Sequence, residues 1–387
     1  MSRPGGAGRD PAAPTIFIAA GEPSGDLHGA GLARALRARF PRARLLGLGG
    51  SRMVAEGVEL LAGLDELAVM GFVEVLRHLP FFLGLKRRVF SALESERVDL
   101  VVPIDYPGFN LRLARHAKAR GIPVLYYISP QVWAWHASRT RDLARDADVV
   151  AVVLPFEERF LRDRGVHAVF VGHPLLDLPP SAESRAAWAA SAGLDPERPV
   201  LALFPGSRPQ EIRRHLELFS AAAERVVSSD PRVQPVVGTP KDIDRGVYEG
   251  ARWPLVDGAS GLLEQADAAL VKSGTSTLET ALAGTPGVVA YRMNGLSYSV
   301  AKRLVKVPHI ALANLIAEDR VFPEFVQDAA TPESLAAALL PLLEAESPER
   351  RRMLAGLSSV RERLRGEGEG AAVRTAAIAA ELLEARG

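Results

Sequence analysis

Short apolar runs, each followed by a glycine- or proline-bearing turn and an amphipathic stretch, recur through this chain, and that alternation restricts its fold most severely. In the first half the runs are Thr15–Ala20, Arg44–Leu48, Leu100–Ile104, Val124–Ile128, Val149–Leu154 and Ala168–Val171. A second series comprises Pro199–Phe204, Val233–Val237, Trp253–Val256, Ala268–Val271 and Gly287–Tyr291. Apolar runs alternating with helical stretches are the pattern of parallel strands joined by helices, so the class is α/β. The chain has 387 residues, which calls for a second core, because domains usually run to ~100–200 residues. Gly172-His173-Pro174-Leu175 and the Pro179-Pro180-Ser181 break separate the two series. The spacing therefore predicts two Rossmann-like domains, residues 15–174 and 175–365, with a ligand cleft between them at the carboxyl ends of the strands.

The ends of the chain read differently. Residues 1–14 are rich in Gly, Pro and Arg and are expected to be a disordered tail, with no apolar core of signal-peptide length. From Pro332 onward the composition is helical, with breaks at Glu346-Ser347-Pro348 and Gly366-Glu367-Gly368. Residues 366–387 form a separate helix, for which packing on the first domain is one open arrangement. No stretch reaches the ~18 apolar residues of a membrane span; the longest, Val69–Leu85, is interrupted by Glu74, Arg77, His78 and Pro80. A net charge of +1 gives no global field for nucleic acid. Without cysteine, disulfides and thiolate metal sites are excluded, which fits a cytoplasmic setting.

Several polar groups gather where strands should end. Val271-Lys272-Ser273-Gly274-Thr275-Ser276-Thr277-Leu278-Glu279 passes from an apolar run through a small hydroxyl-rich loop into a helix with a carboxylate placed in its first turn. Unpaired N–H groups at the helix start invite a phosphate, and Glu279 has two acceptor oxygens for a ribose diol. An ordinary capped turn accounts for the same residues. Phe204-Pro205-Gly206-Ser207-Arg208 ends another strand in an anion-ready turn, with the Arg208 fork suited to a diphosphate. Tyr291-Arg292-Met293 offers a ring and backbone groups to a base, and Asn314 and Gln327 offer amides.

In the first domain Gly21-Glu22-Pro23-Ser24-Gly25-Asp26-Leu27-His28 follows the first strand, with Glu22, Ser24, Gly25 and Asp26 as acceptor-side candidates. The spacing is not that of a dinucleotide-binding loop. Asp105, delivered from a very apolar run to Tyr106-Pro107-Gly108-Phe109-Asn110, is the candidate general base, with Asn110 as partner or cap. An Asx turn or helix cap is the alternative. Tyr126, Tyr127, Trp133, Trp135 and His136 lie close together and suit either sugar stacking or core packing. His28 and His136 fall in the range of groups that titrate near neutral pH. No metal-ligand spacing is present, so the expected mechanism is metal-free and leaves the leaving group to Arg208 and helix N-termini.

Two stretches mix apolar and cationic residues. Phe72, Leu76, Phe81, Phe82 and Leu85 precede or join Lys86, Arg87 and Arg88, as in an interfacial element or acyl-chain entrance. Leu296–Lys306, with Tyr298, Lys302 and Arg303, is a second such stretch. Two core helices with solvated basic edges are the plainer account.

Taken in order, Ala20-Gly21-Glu22-Pro23-Ser24-Gly25-Asp26, Leu67-Ala68-Val69-Met70-Gly71-Phe72-Val73-Glu74-Val75-Leu76, Ile104-Asp105-Tyr106-Pro107-Gly108-Phe109-Asn110, Ser129-Pro130-Gln131-Val132-Trp133-Ala134-Trp135, Leu154-Pro155-Phe156-Glu157, Gly172-His173-Pro174, Pro205-Gly206-Ser207-Arg208, Ser273-Gly274-Thr275 with Glu279, and Tyr291-Arg292-Met293 resemble the lipid-A-disaccharide synthase family from about Thr15 to Leu343. The resemblance implies a GT-B fold and an inverting, metal-independent hexosyltransferase without a cofactor. Its substrates would be UDP-2,3-diacylglucosamine and 2,3-diacylglucosamine 1-phosphate (lipid X), with UDP and the β-1′,6-linked disaccharide phosphate as products. It implies Asp105 as base on the acceptor 6-hydroxyl, and Ser207, Arg208 and the Ser273–Thr275 loop on the diphosphate. Glu279 would hold the ribose, with Tyr291 and Met293 near uracil. The acylated substrates imply a cytoplasmic protein peripheral on the inner membrane, with no nucleic-acid partner. Where the family pattern has Pro and Gly, this chain has Ala313 and Glu318 around Asn314, which weakens any role for that loop, and where it often has an acid this chain has Gly108, which leaves Asp105 as the main carboxylate. A GT-B sugar-nucleotide epimerase shares the second-domain features, and a non-enzymatic sugar-binding module shares the two lobes.

Overall fold

Every strand pairing among the described residues is parallel, as expected for continuous apolar runs buried on both faces. The computed structural model describes residues 10, 12–67, 79–133, 137–179, 183–240, 243–293 and 309–385. Contacts divide the chain into two units, Met1–Asp177 with Leu364–Gly387, and Leu178–Arg363.

The first unit carries β1 (Thr15–Ala20), β2 (Arg44–Gly49), β3 (Glu59–Gly63), β4 (Leu100–Ile104), β5 (Leu125–Tyr127), β6 (Val149–Val152) and β7 (Ala168–Phe170) in the order β3-β2-β1-β4-β5-β6-β7. Phe17 and Ala19 of β1 enter one core with Leu85, Val89 and Leu93 of the helix Leu79–Ser95 and Leu113 and Ala117 of the helix Pro107–Lys118. On the other face lie the helices Pro23–Arg39 and Ala371–Glu384, which contact each other. Gly31 of the first faces Ala372 of the second, where a Cβ on the glycine would stand 3.9 Å from that of Ala372. Asp177 closes the start of the last helix, accepting from the N–H groups of Ala371 and Ala372 at 3.2 and 3.0 Å.

The second unit carries β8 (Val200–Phe204), β9 (Gln234–Thr239), β10 (Leu255–Asp257), β11 (Ala268–Lys272), β12 (Gly287–Tyr291) and β13 (Glu324–Val326) in the order β10-β9-β8-β11-β12-β13. Here β8 and β11 are buried from Val200 to Phe204 and from Ala268 to Val271. In the first sheet the winding direction reverses between β1 and β4, and in the second between β8 and β11. Ligands of open parallel sheets bind outside the carboxyl ends of the strands at such reversals. Among the described residues, no helix is long and apolar enough to cross a membrane.

Candidate functional site

At the β1/β4 reversal the carboxyl ends of the two strands deliver Gly21-Glu22 and Asp105. Asp105 and Tyr106 both have left-handed backbone, with φ of 41° and 47°, a conformation non-glycine residues adopt only when surroundings enforce it. Those surroundings are present. The Asp105 N–H donates to the carbonyls of Tyr127 and Ile128 at 3.1 and 3.2 Å. Its own carbonyl accepts from the Tyr126 hydroxyl at 2.7 Å and from Asn110 Nδ2 at 2.9 Å. Gly21 completes the fit, since a Cβ there would stand 2.4 Å from the Tyr106 ring. The Asp105 side chain is itself open to solvent at the lip of the sheet, yet protein surrounds it closely. Desolvation, aided by the like charge of Glu22, pushes its carboxyl up to about 6.

The neighbouring candidates divide. Glu22 and Ser24 are exposed beside this lip, and Gly25 is buried against Ala20. Asp26 is buried and faces the other way. Its oxygens accept from the N–H groups of Gly50, Arg52 and Met53 at 2.7, 3.2 and 3.1 Å, capping the helix Ser51–Ala55 instead of offering a carboxylate to an acceptor. Asn110 is likewise inside the protein, its Nδ2 bridging the carbonyls of Ala19 and Ile104 at 3.1 and 3.0 Å as well as that of Asp105. It ties the two strand ends together. Burial, reinforced by Arg52, lowers His28 to about 4, so this imidazole is neutral near pH 7 and is not the titrating group its sequence position suggests. His136 and Trp135 lie outside the described residues.

One residue here carried no functional reading in the sequence. Glu157 is buried, and its carboxylate accepts from Ser129 Oγ at 3.0 Å, Trp133 Nε1 at 3.1 Å and the Leu154 N–H at 3.2 Å. Burial pushes its carboxyl up to about 7 against those hydrogen bonds. It pins the aromatic loop after β5, where Trp133 meets Phe156 edge-on at 5.1 Å.

In the second unit the β8 and β11 ends bring the Ser207 and Ser273 turns to the same reversal. Arg208 is exposed at the start of the helix Pro209–Ser229 and forms no ion pair among the described residues. Ser273 Oγ donates to the Ile310 carbonyl at 2.8 Å, and Gly274, with φ of 155°, precedes the helix Thr275–Ala283. Glu279 is not in the first turn of that helix, which contains no acid, but in its second. A capping box is therefore excluded. The side chain is half-buried, burial raises its carboxyl, and no described residue donates to it.

Tyr291, at the end of β12, stacks on His215 with centroids 6.1 Å apart. Met293 offers less than its position promised. Its N–H donates to Gln327 Oε1 at 2.7 Å and its carbonyl accepts from Gln327 Nε2 at 3.1 Å, so both groups are already paired. Asn314 is buried, bonded through Nδ2 to the Phe322 carbonyl at 2.9 Å and Glu324 Oε1 at 2.8 Å and through Oδ1 to the Phe322 N–H at 2.8 Å. It is a strut and not a cleft ligand. Glu211 and Lys272, joined at 2.8 Å, also sit in these turns. The signal for Lys272 was legible, a lone cation closing an apolar strand.

Of the apolar-cationic stretch, Phe72 and Leu76 lie outside the described residues, as do the side chains of Phe81 and Phe82 and the segment 294–308. Leu85 is a correction, being 2% exposed within the core under β1 and so unavailable to an acyl chain. Leu83 and Arg87 face outward, Lys86 covers the Phe90 ring at 5.2 Å, and Arg88 donates to the Leu61 carbonyl.

Residues 16–369 match the family model described as lipid-A-disaccharide synthetase. The chain belongs to this family. It is 42% identical to the lipid-A-disaccharide synthase of Acidobacterium capsulatum, covering 97% of this chain and 98% of that protein. With the lipid-A-disaccharide synthase of Nitrosococcus oceani it shares 43% identity over 96% of this chain and 97% of the relative. Like the family, it is a glycosyltransferase of lipid A biosynthesis. Solved structures agree at the level of fold, which is GT-B. A glycotransferase of kitacinnamycin superposes with a TM-score of 0.65 at 19% identity, covering 96% of this chain and 99% of that one. The UDP-GlcNAc 2-epimerase from Neisseria meningitidis gives 0.61 at 10% identity, covering 96% and 100%. At such identities the likeness of this chain to them is one of fold alone.

Proposed function

We propose that this chain transfers 2,3-diacylglucosamine from UDP-2,3-diacylglucosamine to the 6-hydroxyl of 2,3-diacylglucosamine 1-phosphate (lipid X), giving the β-1′,6-linked disaccharide phosphate and UDP. The observation that carries this reading is Asp105, held in left-handed backbone at the β1/β4 reversal with its carboxyl raised to about 6. The carboxylate accepts the proton of the 6-hydroxyl as that oxygen bonds to the anomeric carbon. The bond from that carbon to the UDP oxygen breaks on the opposite side, which inverts the configuration. Arg208, the Ser207 N–H and the N–H groups of Gly274 and Thr275 meet the charge developing on the diphosphate, the Ser273 N–H being held by the Ala290 carbonyl at 3.2 Å. Glu279 accepts the ribose hydroxyls, and Tyr291 lies beside uracil. Glu22 and Ser24 face the acceptor.

The first unit takes the lipid acceptor and the second the sugar nucleotide. Because both substrates carry acyl chains, the outward face of Leu79–Ser95, with Leu83, Lys86 and Arg87, rests on the inner-membrane surface from the cytoplasmic side. UDP release tests the whole reading. It is expected only when both diacyl sugars are present; release from the donor alone supports an epimerase-type activity, and binding without release reduces the chain to a sugar-binding module.

A further inference from the structure

We infer that Glu211 is a built-in occupant of the diphosphate seat in the second unit, and that Lys272 becomes a ligand of the diphosphate when that carboxylate is displaced. This rests on the proposed role of the β8 and β11 turns.

Glu211 lies in the first turn of Pro209–Ser229, four residues after Ser207. Its Oε2 accepts the Ser207 N–H at 3.1 Å and its Oε1 takes Lys272 Nζ at 2.8 Å. Neither side chain is much exposed, 14% for Lys272 and 20% for Glu211. A main-chain N–H at a helix start and an ammonium at a strand end are the donors an oxygen of a bound phosphate would use. A carboxylate already holds both.

The local sequence is shaped to admit it. A Cβ at Gly206 would stand 2.5 Å from Glu211 Cβ, and the φ of 151° there suits glycine. His215 Nδ1 lies 2.8 Å from the Glu211 carbonyl and His215 Nε2 accepts the Arg292 N–H at 2.9 Å, fixing this first turn against the end of β12. Lys272 also stands 5.4 Å from the centroid of Tyr291, over its ring. Burial raises the Glu211 carboxyl, but the hydrogen bond and charge of Lys272 outweigh it, so the group stays ionised.

A diphosphate entering with Glu211 in place meets a second anion. With Glu211 swung out, the diphosphate gains both donors. Affinity is then reduced by the fraction of molecules in which the seat is taken, and Glu211 competes to eject UDP after transfer.

Calorimetric titration of the full chain with UDP and with uridine tests this. The wild type is expected to prefer UDP; equal affinities would remove the diphosphate seat and this inference together. Lys272→Met, which keeps the stem against Tyr291, should weaken UDP by about tenfold or more and leave uridine unchanged. Glu211→Gln should strengthen UDP several-fold, again with uridine unchanged. If Glu211→Gln weakens UDP while the wild-type preference stands, Glu211 is a strut for Lys272 and the inference fails although the site reading survives. An independent measurement needs no variant. In a structure of the wild type with UDP, the Glu211–Lys272 contact should be open, and an intact contact beside bound UDP overturns the proposal.

Discussion

A carboxylate acts as base only when ionised, and it accepts a proton best when its pKa lies near the working pH. Asp105, raised to about 6 by desolvation and by Glu22, therefore predicts that kcat/KM climbs with pH through about 6 and levels off above. Glu22→Gln removes the like charge and should move this acid limb to lower pH, whereas an unmoved limb would assign it to another group. Asp105→Asn should reduce turnover by roughly 10²–10⁴ with UDP affinity intact, checked by steady-state rates beside calorimetry. Glu279→Ala should weaken UDP and uridine alike, about tenfold, because its proposed partner is the ribose; a loss confined to UDP would place it on the diphosphate instead. Asp105 was legible because an acid closing an apolar run is conspicuous in sequence. Its restraints were not. Asn110 reaches the Ala19 carbonyl across 91 positions of chain, and Asp26 caps a helix that begins beyond the next strand. Side chains of that kind look like site residues until their partners are known.

At the scale of elements, the runs that became β1, β2, β4 to β6, β8, β9, β11 and β12 were readable because strands buried on both faces need no polar alternation, while the partly buried edge strands β7 and β10 were read from the short apolar stretches Ala168–Val171 and Trp253–Val256. The omissions were the outermost strands on one side of each sheet. β3 is only partly buried and β13 lies wholly at intermediate exposure, so neither needs the apolar run that marks the strands between them. Glu279 was placed one turn too early for a related reason, since Gly274 takes the cap position and its hydroxyl-rich neighbours continue the helix. Helix ends depend on such caps, and the start of Ala371–Glu384 depends on Asp177. Removing its two hydrogen bonds with Asp177→Ala should destabilise the first unit by about 1 kcal/mol. Chemical denaturation followed by tryptophan fluorescence, to which Trp133 and Trp135 contribute from the first unit, would register this, and an unchanged midpoint would mean that water satisfies the freed N–H groups equally well.

At the scale of the whole molecule, the chain leaves the first unit after Asp177 and returns to it at Leu364, so the segment that closes the sequence packs beside the one that follows β1. Basic and acidic residues are so nearly equal in number that the net charge is only +1, and the long-range attraction of the molecule as a whole to an anionic surface is correspondingly slight. Any membrane affinity has to arise from a local group. On the proposed reading this group is the outward face of Leu79–Ser95, with Leu83 46% exposed and Lys86, Arg87, Glu94, His116 and Arg120 lining a shared groove. Among the described residues of this face, Arg120 is paired with Glu94 and Arg88 is held by the Leu61 carbonyl, while Lys86 lies over the Phe90 ring and Arg87 faces outward, so these two are the cations the proposal puts on lipid phosphate. Each cation at an anionic surface contributes about 1 kcal/mol, so Lys86→Glu with Arg87→Glu should weaken cosedimentation with anionic vesicles by roughly thirtyfold or more at low salt. The loss should shrink as salt screens the surface. A loss that ignores salt would point to apolar insertion as the main contact, and no loss at all would move the membrane-facing surface away from this helix.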